Sequence, residues 1–192
     1  MRAGLADPVL DAQGIFRSVL DALSHPGRVV TVPSALEPPA PLGPATAAVC
    51  LTLLDFETPV WLDPAARTPE VLEYVRFHCG APICQSPEDA AFSVLADGLH
   101  LFPLGRFQTG SDEYPDRSTT AIVQAGEIVE GVGRRLTGPG IDGQRRIDLE
   151  GVSGRFWDML GENQDLFPRG IDVLVTAGPR LVGLPRTTRV GD

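Results

Sequence analysis

The chain has 192 residues, 43% of them hydrophobic and 21% charged, enough apolar material for one core that needs no disulfide or metal to hold it. Acids outnumber bases 25 to 16, a formal net charge of −9, which argues against nucleic acid as a partner because backbone binding needs clustered cations. All 16 basic residues are arginine, and this excludes a Walker-type P-loop, a Schiff base to pyridoxal phosphate and a lysine general base.

At the N-terminal end, Asp7, Pro8 and Asp11 stand where a signal peptide would carry an apolar stretch. The most apolar run, residues 45–54, is too short to span a bilayer, so a cytoplasmic protein with no membrane partner is expected. Phe16, Val19, Leu20 and Leu23 fall at i, i+3, i+4 and i+7 and predict a helix whose buried stripe they form. His25-Pro26-Gly27 ends it, because proline disfavours helical backbone in the residue before it. Residues 29–32 read as a β-branched strand, and the proline-rich stretch 34–44 as a loop. Pro44 opens a helix through Ala47, Val49, Leu51 and Leu54 that is apolar nearly all round.

Residues 59–62 predict a strand beginning at proline. Thr68-Pro69 is a capped helix start, with Val71, Leu72 and Val75 as its stripe. Ser86-Pro87-Glu88-Asp89 reads as a capped turn, and residues 92–95 and 118–124 as strands. Shorter strands at 132–137 and 147–149 flank a glycine loop, Ser153 caps a helix carrying Phe156, Trp157 and Leu160, and strands at 171–176 and 181–184 follow. Helices and strands alternate first and strands dominate later. The pattern predicts one α/β domain over residues 1–192, with a mixed central sheet flanked by helices.

Several motifs invite a functional reading. Gly138-Pro139-Gly140-Ile141-Asp142-Gly143 matches the G-x-G-x-x-G of dinucleotide-binding turns, but a strand rather than a helix follows it, which favours a β-hairpin or bulged loop. Loop 109–118 gathers Asp112, Glu113, Asp116 and Arg117. Carboxylates at this spacing suit Mg²⁺, and the plainer reading is a solvated surface loop. Asp55 and Glu57 read as turn residues, and His25 as a helix-ending residue near the C-terminal dipole. Arg134, Arg135, Arg145 and Arg146 form either two solvated sheet-edge segments or a phosphate site, the former being preferred. Cys50, Cys79 and Cys84, with His78, fall short of a convincing zinc set and read as ordinary packing. Gly151-Val152-Ser153-Gly154 lacks the spacing of a nucleophile elbow.

A set of segments, in order along nearly the whole chain, resembles the PhnH family of carbon–phosphorus lyase subunits. They are Phe16-Arg17 through Ser24-His25-Pro26-Gly27; Leu51-Thr52-Leu53-Leu54-Asp55 with Thr58-Pro59-Val60-Trp61-Leu62; and Arg76-Phe77-His78 with Ala81-Pro82. Leu136-Thr137-Gly138 with Gly140-Ile141 comes next, then Phe167-Pro168-Arg169-Gly170-Ile171-Asp172 and Leu184-Pro185-Arg186-Thr187-Thr188. The resemblance implies a fold like that of pyridoxal-phosphate-dependent transferases without the cofactor, a homodimer in isolation, and assembly with PhnG-, PhnI- and PhnJ-type subunits. It implies a complex that displaces adenine from ATP with an alkylphosphonate, giving a ribose 1-alkylphosphonate 5-triphosphate, with no activity expected of this chain alone. Breaking the carbon–phosphorus bond falls to a separate radical subunit with an iron–sulfur cluster, a role that three unclustered cysteines do not suit. Contact candidates are Asp112, Glu113, Arg117, Gly138, Gly140 and Arg186, with no catalytic, metal or cofactor ligand assigned. The competing expectation is a free-standing metal-dependent hydrolase built on the loop from Asp112 to Asp116.

Overall fold

The computed structural model describes residues 2–192. Its elements are α1 (Leu10–Ser24), β1 (Val29–Thr31), α2 (Pro44–Leu53), β2 (Val60–Leu62), α3 (Pro69–His78), β3 (Phe92–Leu95), β4 (Thr120–Gln124), β5 (Glu127–Thr137), β6 (Arg145–Glu150), α4 (Arg155–Gln164), β7 (Asp172–Ala177), β8 (Arg180–Leu184) and β9 (Arg189–Gly191). Short 3₁₀ turns occupy Pro87–Asp89 and Leu104–Arg106.

The main sheet has the order β1-β8-β7-β4-β3-β2. Strands β2, β3, β4 and β7 run parallel, while β8 is antiparallel to both β7 and β1. The sheet is therefore mixed, as the element pattern predicts. Its central strands are apolar on both faces because both faces are covered. On one side Leu62, Val94, Ile122, Leu174 and Leu181 meet α1, α2 and α3. On the other, Trp61, Leu95, Val123, Val175 and Val182 meet α4 and a second sheet of order β6-β5-β9. Full burial of each such aliphatic side chain contributes about 1.5–3 kcal/mol.

Helix α2 is the most enclosed, with Ala45 through Cys50 all buried, which its all-round apolar sequence predicts. Helix α3 begins as expected: Thr68 Oγ1 accepts the Val71 amide at 3.2 Å. The stripe expected for α1 is corrected. Ile15, Val19 and Ala22 face the core, whereas Phe16 and Leu20 are 45% and 50% exposed. The cause is a close crossing over β8, where a Cβ on Gly183 would stand 2.5 Å from the Ala22 carbonyl oxygen. Only small residues fit that contact, and they fix the rotation of the helix.

Two expected caps are also corrected. Ser153 offers only its backbone carbonyl, to the Phe156 amide at 2.9 Å, and Gly154 holds the N-cap position of α4. The Ser86 hydroxyl bonds to the Glu88 carboxylate instead of capping the turn that follows. Strand β5 is longer than the expected 132–137, and β9 is an added strand.

Candidate functional site

The two tail segments of the sequence meet at a single ion pair. Asp172 opens β7, and Arg186 lies two residues beyond β8. The Arg186 guanidinium donates to Asp172 Oδ2 at 2.6 Å and Oδ1 at 3.2 Å, to the Pro115 carbonyl at 2.5 Å and to Ser118 Oγ at 2.6 Å. Its backbone amide adds a bond to Asp172 Oδ1 at 2.9 Å. A planar fork presents its donors in one plane, and here they join two chain segments and a loop.

That loop is 109–118, closed by a bridge between Thr109 and Ser118. Asp112 pairs with Arg169 at 3.3 Å, and the Arg117 guanidinium lies 4.3 Å from the Tyr114 ring centroid. The Gly170 amide donates to the Thr109 carbonyl at 2.8 Å. Buried Asn163 clamps the next residue, accepting the Ile171 amide at 2.8 Å and donating to its carbonyl at 3.0 Å. Gln108, Thr109, Gly110, Ser111, Tyr114 and Arg117 line a depression of about 300 Å³. Asp112, Glu113, Arg117 and Arg186 thus belong to one neighbourhood. It lies at the amino ends of β4 and β7, whereas open α/β sheets take ligands outside the carboxyl ends of their strands.

Gly138 and Gly140 are placed elsewhere, in the β5–β6 hairpin, so the strand-flanked reading of this loop holds. Gly140 has φ +80, and a Cβ there would stand 2.2 Å from the Ser24 carbonyl oxygen; at Gly138 it would meet the Thr187 carbonyl oxygen at 2.8 Å. These glycines let the hairpin touch the end of α1 and the tail backbone. His25, just after α1, brings Nδ1 within 3.0 Å of the Asp21 carboxylate at the surface.

The carboxyl ends of β2 and β3 hold polar residues that the sequence did not single out. Buried Asp63 accepts the Ala66 amide at 2.7 Å and the Asp97 amide at 3.0 Å. Asp97 in turn bonds His100 Nδ1 at 2.9 Å, and that hydrogen bond lowers its carboxyl pKa. Nearby in the fold, Gln124 Oε1 accepts from the Gly43 amide at 2.7 Å and Thr46 Oγ1 at 2.8 Å. Each is an isolated residue with no spacing pattern; the only available signal was a polar residue directly after an apolar strand.

The hydrolase expectation gains no support from the Asp112 neighbourhood. Its carboxylate is engaged by Arg169, and among the described residues no group of three or more His, Cys, Asp or Glu side chains is placed to hold a metal ion. The thiols are held in the protonated state. Burial raises the pKa of Cys50 far above the ordinary range and that of Cys79 to about 12. No helix among the described residues is long and apolar enough to cross a membrane.

Comparison with known proteins gives the same family as the segments. The family model described as bacterial phosphonate metabolism protein (PhnH) matches residues 3–191. The chain is 41% identical over 189 residues to alpha-D-ribose 1-methylphosphonate 5-triphosphate synthase subunit PhnH of Rhizobium meliloti (strain 1021), covering 96% of this chain and 92% of the relative. It is 31% identical over 179 residues to the putative C-P lyase subunit protein HtxG of Stutzerimonas stutzeri, covering 93% and 85%. The chain belongs to the PhnH family.

Proposed function

We propose that this PhnH-family chain is a non-radical subunit of a carbon–phosphorus lyase core complex, required for organic phosphonate catabolism. The observation that carries the proposal is the 41% identity, over 96% of the chain, to a protein named as a subunit of a ribose 1-methylphosphonate 5-triphosphate synthase. In this reading the complex displaces adenine from ATP with an alkylphosphonate and yields a ribose 1-alkylphosphonate 5-triphosphate. Residues 1–192 act as one domain with a fold of the pyridoxal-phosphate-dependent transferase kind, in the cytoplasm. The chain forms a homodimer when alone and joins PhnG-, PhnI- and PhnJ-type subunits in the complex. It works without covalent pyridoxal phosphate, since no lysine exists to hold it. Arg186 commits its guanidinium donors to Asp172, Pro115 and Ser118 within the chain, which supports a role in holding the fold rather than in contacting substrate.

The test is reconstitution. Partner subunits are combined with and without this chain, given ATP and methylphosphonate, and adenine release is measured. Turnover that depends on the chain is expected. Full turnover in its absence overturns the proposal.

A further inference from the structure

The small sheet β6-β5-β9 buries one face and exposes the other. Leu136 and Ile147 are fully buried against the core, so their chain neighbours Arg135 and Arg146 point outward, and both are exposed. Arg135 and Arg146 are direct cross-strand partners. Arg189, next to the half-buried Val190, reaches the same outward face from β9, opposite Thr137. Directly opposed side chains on an antiparallel ladder have Cβ atoms about 5 Å apart and diagonal ones about 7–8 Å apart, and like charges in such positions destabilise the sheet.

Two backbone features create this arrangement. The β5–β6 register shifts between Glu130 and Arg134 at a bulge that includes Gly131 (φ +83) and Gly133 (φ +78). The bulge aims the Gly133 carbonyl at Arg146 Nη1, 2.8 Å away, and the Asp192 carbonyl takes Nη2 at 3.2 Å. The Gly133 carbonyl orients the guanidinium without cancelling its charge. Opposite Arg135 stands Gly191, where a Cβ would come within 2.9 Å of the Arg135 guanidinium, so glycine there leaves the side chain its room.

Two carboxylates lie nearby, each with one side-chain oxygen engaged within the chain. Asp192 gives Oδ1 to Arg134 at 2.6 Å, and Asp148, two residues along β6 on the outward face, turns Oδ1 back to the Leu149 amide at 3.0 Å. Among the described residues neither Arg135 nor Arg189 forms an ion pair.

The geometry points to an oligophosphate-binding face on the outside of this sheet, formed by Arg135, Arg146 and Arg189. A linear chain of phosphates fits better than a single anion, because the three forks rise from three neighbouring strands, with Arg146 and Arg189 at least about 10 Å apart across the sheet, and so reach several phosphoryl groups, each able to accept a bidentate pair. The site rests on the sheet itself and not on the assembly reading, so the isolated chain is the proper sample.

Titration calorimetry of the full chain with sodium tripolyphosphate at low salt tests it. Saturable binding is expected, weakened by added salt and weaker for inorganic phosphate. Arg135→Gln and Arg189→Gln should each reduce affinity by about tenfold, as expected for losing a charge-assisted bidentate contact. Arg17→Gln, on the exposed face of α1, should leave it nearly unchanged. Phosphorus NMR line broadening of tripolyphosphate gives a second readout, and circular dichroism verifies that each variant is folded. Absence of binding, equal affinity in the folded Arg135→Gln protein, or tighter binding of a single-stranded oligonucleotide at the same arginines overturns the proposal.

Discussion

The Arg186 side chain, only 11% exposed, grips the Asp172 carboxylate at both oxygens, Nη2 to Oδ2 at 2.6 Å and Nε to Oδ1 at 3.2 Å. This pair joins the first residue of a central parallel strand to the tail that follows β8. The same guanidinium also holds loop 109–118 through Pro115 and Ser118.

Removing one partner of such a pair leaves the other charged and poorly solvated. Arg186→Ala should therefore lower stability by about 3 kcal/mol. Arg186→Lys should lose most of that as well, because an ammonium cannot reproduce the fork. Urea denaturation of the isolated chain measures both. A variant as stable as the parent protein would refute the structural role and return Arg186 to the list of substrate contacts.

The two glycines of the β5–β6 hairpin tip separate conformational freedom from close approach. Gly143 has φ +69 with open space around it, so Gly143→Ala should cost about 1 kcal/mol for backbone conformation alone. Gly140 has φ +80 and a backbone oxygen within 2.2 Å of a Cβ position, so Gly140→Ala should cost clearly more. Thermal melting of the two variants ranks them. The reverse order would show that the hairpin does not press on the end of α1. NAD binding to the parent protein would revive the dinucleotide reading.

Thiol chemistry should be selective and slow. Burial raises all three cysteine pKa values, that of Cys79 to about 12 and that of Cys50 further. At pH 8 the reactive thiolate is therefore scarce, and its fraction grows as pH rises toward those values. Alkylation of the folded chain at pH 8 should label half-buried Cys84 first, and Cys50 only on unfolding. Mass spectrometry of time-resolved labelling checks the order, and early modification of Cys50 would contradict it.

The rotation of α1 gives a fourth test. Val19→Ala removes buried methyl groups and should cost about 1–3 kcal/mol, whereas Phe16→Ser and Leu20→Ser should stay within about 0.5 kcal/mol. A large loss at Phe16 in the isolated chain would restore the stripe expected from spacing.

That stripe shows where the sequence was legible. Helices α2 and α3 were readable because their signals are local: proline at the first turn, a threonine cap and uninterrupted apolar residues. In α1 both faces carry apolar residues, and the choice between them is made by Gly183, far away in sequence. Likewise the expected strand 132–137 is only the second part of β5, which continues back to Glu127 through a bulge at Gly131 and Gly133. Strand β9 is defined only by its pairing with β5. At the carboxyl ends, Asp63 and Asp97 are brought together by adjacent parallel strands, a relation that no spacing within the chain encodes. Arg186 was singled out as a residue, but its partner Asp172 required the fold.

Truncation after Gly183 tests the tail as a whole, since it removes Leu184, Arg186 and β9 together. Loss of cooperative folding is expected, read by sedimentation and thermal melting. A truncated chain that remains folded and able to join its partner subunits would show the tail to be dispensable.

The position of β1 carries a consequence for synthesis. Its only neighbour in the main sheet is β8, with Val29 paired to Val182. A ribosome delivers the first strand long before its partner exists, and β1 cannot join the sheet until β8 has emerged. Until then α1 has α2 but no β8 to rest on, and the part of its inner face that β8 covers stays open. Docking of β1 therefore waits on a strand remote in sequence, which makes it a long-range step in folding.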